Sequence, residues 1–278
     1  MHQYLSHKTE QKWPGRPEKP KFRFPVIPTA RQTFAWVSGS PPLLALSTTL
    51  AMMVFFTVRP DIDLDASRWF WTDGFRLGED QFLISVRDLN RALPAILLSG
   101  LVCLLLVTPF VSGVRRAIRP HKLLLVLTFY ALGPGATVHV LKNLFGRARP
   151  RHISEFGADL FFTPVLSLDG SCSRNCSFPS GESASAIALL AFIIFLPEKF
   201  RLSATAILMP FIVLCSLNRA AMGAHFLSDV LIAWPLMLAV FLSLHRLFTK
   251  HGDTIDTAFL RKFMGIRHSA EQRSCPEQ

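Results

Sequence analysis

Six uninterrupted apolar blocks, Leu43–Val58, Ala92–Val111, Leu123–Leu141, Ser183–Leu196, Ala204–Leu217 and Leu231–Leu247, govern what this chain can become. About 20 apolar residues cross a hydrocarbon core as a helix, because backbone surrounded by lipid has to satisfy its own N–H and C=O groups. Several blocks approach that length; the short fourth and fifth call for a tilt or an extension into flanking polar residues. The expectation is an all-α integral membrane protein, a six-helix transmembrane bundle over residues 43–250. A basic, Pro-rich tail (1–42) precedes it and a second tail (251–278) follows, both loosely ordered or lying on the surface. A soluble helical bundle is the alternative for a chain that is 50% hydrophobic, and the gathering of apolar residues into blocks weighs against it.

Lys and Arg in the connecting segments set the expected orientation, since positive residues near span ends tend to stay cytoplasmic. The first tail carries Lys8, Lys12, Arg16, Lys19, Lys21, Arg23 and Arg31, and the second-to-third connection carries Arg115, Arg116, Arg119 and Lys122. Both belong inside. The segment Asp61–Arg91 is rich in acids instead (Asp61, Asp63, Asp65, Asp73, Glu79, Asp80, Asp88), as suits an external loop. Both termini are then cytoplasmic. The first block, beginning only at Leu43 and lacking a small-residue cleavage pattern after it, reads as a retained anchor.

A net charge of +11 does not mark a nucleic-acid binder here, because the basic residues sit at block ends rather than in a stripe interleaved with aromatics. Cys103 and Cys215 lie within blocks and read as small packing residues. Cys172 and Cys176 flank Ser173-Arg174-Asn175 in a connection expected outside, where oxidation is permitted; a disulfide and two free thiols remain equally open. A zinc site is not expected, since no second Cys/His pair stands nearby at a matching spacing.

Three polar clusters fall at block ends that the orientation puts outside. The first holds Lys142, Arg147, Arg149, Pro150, Arg151 and His152. Cations outside run against the positive-inside tendency, and anion binding explains them: guanidinium forks grip phosphate oxygens and lysine adds a point charge. The second, Pro179-Ser180-Gly181-Glu182, opens the fourth block, where free backbone N–H groups and the helix dipole favour an anion. In the third, His225 and Asp229 stand four apart on one helical face, so the carboxylate can fix the imidazole. Arg219 lies six residues before His225, and a bend near Gly223 would bring both to one phosphate. Singly, each cluster has a plainer meaning: headgroup contact, a helix start, a structural His–Asp pair. Their convergence at one end of the bundle is the stronger signal.

Lys142-x6-Arg149-Pro150, Pro179-Ser180-Gly181 and Arg219-x5-His225-x3-Asp229 together resemble the three-part signature of the type 2 phosphatidic acid phosphatase (PAP2) superfamily, which includes vanadium haloperoxidases. That resemblance implies that Lys142, Arg149, Ser180, Gly181 and Arg219 hold a phosphate, that His225 attacks phosphorus to give a phosphohistidine, and that Asp229 orients it. It also implies that no metal or other cofactor takes part. Two positions depart from the pattern. Glu182 stands where the superfamily usually has the His that protonates the leaving group, and Asn218 where Ser commonly precedes the Arg. An unperturbed Glu, with a pKa of about 4.3, holds almost no proton at neutral pH, so its environment decides whether it can act as the acid.

The stretch from Arg149-Pro150-Arg151-His152 to Cys172-x3-Cys176-Ser177-Phe178-Pro179-Ser180-Gly181-Glu182, with Arg59-Pro60-x-x-Asp63-Leu64-x-x-Ser67-x-x-Phe70, is similar to the lipid A phosphatases, particularly the 4′-phosphatase group. The function implied is hydrolysis of a lipid A phosphate monoester at the periplasmic face of a bacterial inner membrane. Undecaprenyl pyrophosphate and phosphatidylglycerol phosphate are the alternative substrates. A lipid-binding or transport protein is the alternative of a different class, and it predicts ionisable groups toward mid-bilayer rather than at span ends. Arg147, Arg151, His152 and Arg174 are secondary candidates for a second phosphate or the sugar, with surface residues as the plainer reading.

Overall fold

The computed structural model describes residues 39–274, so the first tail lies almost wholly outside it. In chain order the helices are α1 (Pro41–Val58), α2 (Asp61–Phe70), α3 (Gln81–Val107), α4 (Ser112–Ala117) and α5 (Pro120–Tyr130). A π-helical segment (Ala131–Thr137) carries α5 on into α6 (Val138–Phe145). Then come α7 (Gly181–Ala188), prolonged as a 3-10 helix (Leu189–Phe195), α8 (Glu198–Ala221), α9 (Leu227–Lys250) and α10 (Gly252–Ser274). Among the described residues, five helices are long and apolar enough to cross a membrane: α1, α3, the α5–α6 run, α8 and α9. The fourth apolar block forms the shorter helix Gly181–Phe195. Because a 3-10 helix rises about 2.0 Å per residue, the eight residues of α7 and seven beyond it reach about 26 Å, against about 23 Å for an α-helix of equal length.

That short helix runs through the middle of the bundle. Ala184, Ala186, Ala188 and Ala191 are buried along it, and such small side chains let α3, α8 and α9 approach closely. Leu123, Val126, Phe129 and Tyr130 of α5 pack there with Leu101 of α3 and Met237 of α9. The outside is apolar: Leu50 is 55% exposed, Ile96 66% and Ile207 76%, which in a chain of this kind is the face offered to lipid.

Two elements differ from the expectation. The second long helix begins at Gln81, eleven residues before the apolar block, because Asp80 caps it by accepting from Leu83 N (2.9 Å) and its first turns are polar. Arg87 and Arg91 are therefore helical rather than part of a loop. The chain after α9 forms α10, held to the start of α5 by Asp256. Its carboxylate accepts from His121 N (2.7 Å), His121 Nδ1 (2.9 Å) and Arg119 Nε (2.9 Å). This clamp lies at the opposite end of the bundle from the three polar clusters.

Candidate active site

Two left-handed glycines steer the polar clusters together. Gly146 (φ 54°) ends α6 with its N–H on Lys142 O, and the chain leaves it extended toward Arg147 and Arg149. Gly223 (φ 62°) turns the chain after α8, so that Ala224 N and His225 N both donate back to Arg219 O at 3.1 and 3.2 Å. A Cβ on Gly223 would collide with the Phe75 ring. The bend expected there is what sets His225 beside Arg219. Asp229 then starts α9 by accepting from Phe226 N at 2.9 Å.

Lys142, Arg149, Gly181, Glu182, Arg219 and His225 line one cavity of about 390 Å³. Lys142 Nζ donates to Cys176 O, and Arg149 donates to Asn175 O (2.9 Å from Nη2) and Asn175 Oδ1 (2.9 Å). Those acceptors belong to a tight loop that a Cys172–Cys176 disulfide closes. Gly181 sits against the Lys142 stem, where a Cβ would come within 4.0 Å of Lys142 Cε and 3.4 Å of Val138 Cγ1. Glu182 bridges two cations, pairing with Arg91 at 2.5 Å and lying against Arg219 Nε. Pro134 of the π-helical segment also reaches the cavity, in keeping with the tendency of π-turns to occur at functional sites.

Ser180 and Asp229 stand behind the cavity wall. The Ser180 hydroxyl accepts from Ser183 N (3.3 Å) as the cap of α7, and Ser180 N donates to Asp229 O (3.0 Å). His225 is 3% exposed and turns Nδ1 toward Asp229 Oδ2 (3.7 Å) and Ser177 Oγ (3.5 Å), which leaves Nε2 for the cavity. Ser177 in turn donates to Asp229 Oδ2. Burial pushes the His225 imidazole down to about 4; Asp229 pulls the other way, while Lys142 and Arg149 add to the fall. At neutral pH the ring is uncharged and its outward nitrogen carries a lone pair.

Beneath the histidine lies an arrangement that the sequence did not disclose. Arg147, weighed above as a candidate for a second phosphate or the sugar, is 1% exposed and is not among the residues that line the His225 cavity. Its Nη1 donates to Asp229 Oδ1 (2.6 Å) and Ser228 Oγ (2.8 Å), Nη2 to Asp63 Oδ2 (2.8 Å) and Nε to Thr163 O (2.8 Å). Its guanidinium also stacks 4.3 Å from the Phe226 ring centroid. Asp63, on α2, accepts as well from Ser228 N (2.8 Å) and Ser228 Oγ (2.6 Å). Arg147 thus anchors the carboxylate that faces His225, and a fully desolvated charge of this kind needs the partners it has.

The sequence family described as the PAP2 superfamily matches residues 122–253. A lipid A 4′-phosphatase of Rhizobium etli is 32% identical over 242 residues, which cover 81% of this chain and 92% of that protein. The chain belongs to the PAP2 superfamily. Another lipid A 4′-phosphatase, from Rhizobium leguminosarum, is 41% identical over 130 residues, 46% of this chain and 56% of that protein's length. One from Francisella tularensis subsp. novicida is 27% identical over 198 residues, 68% of this chain and 86% of the relative. Among solved structures, a transmembrane PAP2-type phosphatidylglycerolphosphate phosphatase from Bacillus subtilis superposes with a TM-score of 0.52 at 20% identity. It covers 76% of this chain and 96% of that one, and gives the same fold. The PAP2 match spans Lys142, the disulfide loop, α7 and the Arg219–Asp229 turn, and so takes in the whole cavity wall except Arg87 and Arg91 of α3.

Proposed function

We propose that this PAP2 protein removes the 4′-phosphate of lipid A through a phosphohistidine on His225, without a metal. The observation that carries the reading is a buried imidazole opening on the cavity where Lys142, Arg149 and Arg219 converge. Three cations can neutralise the equatorial oxygens of a transferring phosphoryl group while Nε2 attacks phosphorus in line. The bond from phosphorus to the sugar oxygen breaks, and that oxygen needs a proton. Glu182, lining the cavity between Arg91 and Arg219, is the group placed to supply it. Water then attacks the phosphohistidine, its proton returns to Glu182, and phosphate departs. Relatives named lipid A 4′-phosphatases support the choice of substrate.

The same reading has six crossings, with the roughly 26 Å helix Gly181–Phe195 as the fourth, close to the ~30 Å of a hydrocarbon core. It puts the cavity in the periplasm and both termini in the cytoplasm, a direction supported by the basic connection Arg115–Lys122 and by a disulfide on the cavity side. The test uses purified protein in detergent with defined lipids. Phosphate release from lipid A is expected for the native chain, and its loss by at least about a thousand-fold for His225→Ala, with lipid still bound. Turnover surviving that change would remove His225 as nucleophile, and release from undecaprenyl pyrophosphate or phosphatidylglycerol phosphate but not from lipid A would overturn the substrate.

A further inference from the structure

The cavity in front of His225 holds more positive charge than one phosphate can match. Arg87, Arg91, Lys142, Arg149, Arg151 and Arg219 all line it, and among the described residues Glu182 is its one lining carboxylate. Asp88 pairs with Arg87 from outside at 2.8 Å, and behind the wall Asp63 and Asp229 share Arg147. Taken together these are seven cations against four carboxylates, while a phosphate monoester brings only about 1.5 to 2 negative charges. The size agrees, since 390 Å³ is within the range of small-ligand pockets, about 300–1,000 Å³, rather than that of a lone phosphate.

Depth divides the cations into two sets. Arg149 and Arg219 are 7% and 4% exposed beside His225, whereas the Arg91 side chain is 57% exposed, Arg151 is exposed and Arg87 is half-buried. Arg87 and Arg91 stand four apart on the first turns of α3 and so share a face. Arg151 reaches the cavity from the segment after α6, where its backbone N–H donates to Gly223 O at 3.1 Å and ties it to the turn before His225. We propose that Arg87, Arg91 and Arg151 form a second anion subsite at the cavity mouth, which takes a further phosphate or carboxylate carried by the lipid being cleaved. All three open on the reacting cavity rather than encircling the bundle, which favours a group on the substrate over bulk headgroups. Glu182 joins the subsites, because one carboxylate touches Arg91 on the outer side and Arg219 on the inner.

This inference rests on the phosphatase reading and is tested apart from it. Hydrolysis of lipid A bearing two phosphates is compared with that of lipid A bearing the 4′-phosphate alone, in neutral detergent, for the native protein, Arg151→Gln and Arg87→Gln. Each variant is expected to lower kcat/KM on the bisphosphate about ten-fold more than on the monophosphate, mainly through KM, as fits loss of one guanidinium contact at a partly exposed site. Equal losses on both lipids would mean a general attractive field and overturn the subsite. Discrimination appearing only after phosphatidylglycerol is added to the micelles would assign these arginines to headgroups and overturn it likewise. If the native protein cleaves neither lipid, the substrate proposed above fails, and the subsite is then read from the ratio of inhibition constants of the two lipids against aryl phosphate hydrolysis. A native ratio favouring the bisphosphate that Arg151→Gln abolishes supports it, and equal constants overturn it.

Discussion

Arg147 and Arg149 stand two residues apart on one extended stretch, and their roles are opposite. The first is sealed among Asp63, Asp229 and Ser228, while the second faces the cavity. Replacing Arg147 with Met would leave two buried carboxylates facing each other, so a destabilisation of about 3–5 kcal/mol is expected, read as a lowered unfolding midpoint in detergent. Arg147→Lys, which keeps the charge and loses the fork, is expected to fold and to lose activity through kcat. Unchanged unfolding for Arg147→Met would refute the anchoring role. At Glu182 the expected signature is a split between substrates: Glu182→Ala slows release from lipid A by about a hundred-fold and from an activated aryl phosphate much less, because a good leaving group hardly needs a proton. Equal losses would instead mark Glu182 as a holder of Arg219. Residue types and spacing made the meeting of Lys142, Arg149, Arg219 and His225 at one cavity legible in the sequence, since three polar clusters converged on one end of the bundle. They could not separate Arg147 from Arg149. Alternation along an extended chain, two residues to the repeat, puts such neighbours on one side, so neither residue type nor spacing distinguishes the one that meets Asp63 and Asp229 from the one that reaches the cavity.

At the level of elements, the active cavity depends on turns more than on helices. The turn at Gly223 folds the end of α8 back so that one carbonyl, Arg219 O, receives two successive N–H groups. An Ala there would have to adopt a positive φ and displace the Phe75 ring. Gly223→Ala is therefore expected to cost about 1–3 kcal/mol of stability and to reduce kcat at least ten-fold by moving His225 from Arg219. Full activity with native thermal stability would show that the turn is not needed. Apolar blocks located the helices well but missed their polar ends, because a helix that emerges from lipid continues in water on capping and ion pairs that hydropathy does not register. Thus α3 begins at Gln81, and with it the face that carries Arg87 and Arg91. For the same reason α10 was not visible: its hold on the bundle is the Asp256 clamp with His121 and Arg119, contacts made more than a hundred residues apart in sequence.

For the molecule as a whole, the cavity and the Asp256 clamp occupy opposite ends, so orientation in the membrane determines which compartment supplies substrate. In spheroplasts, a membrane-impermeant maleimide is expected to label Cys172 and Cys176 after mild reduction and not before. Labelling only after the membrane is opened would reverse the proposed topology. The general plan, apolar helices with three polar clusters at one end, could be read from the chain because lipid imposes a coarse and unforgiving pattern. The length of the short helix Gly181–Phe195 was harder to read, since a 3-10 stretch lengthens a segment without adding residues to it. One further consequence belongs to the Arg147 centre. It draws α2, the segment after α6 and the start of α9 to a single guanidinium, and that guanidinium also braces the carboxylate beside His225. Closing this end of the bundle and assembling the candidate site are therefore one event. Inherited changes at Asp63, Arg147 or Ser228 would present as loss of the protein from the membrane as much as loss of its chemistry, and selection on either property would preserve the other.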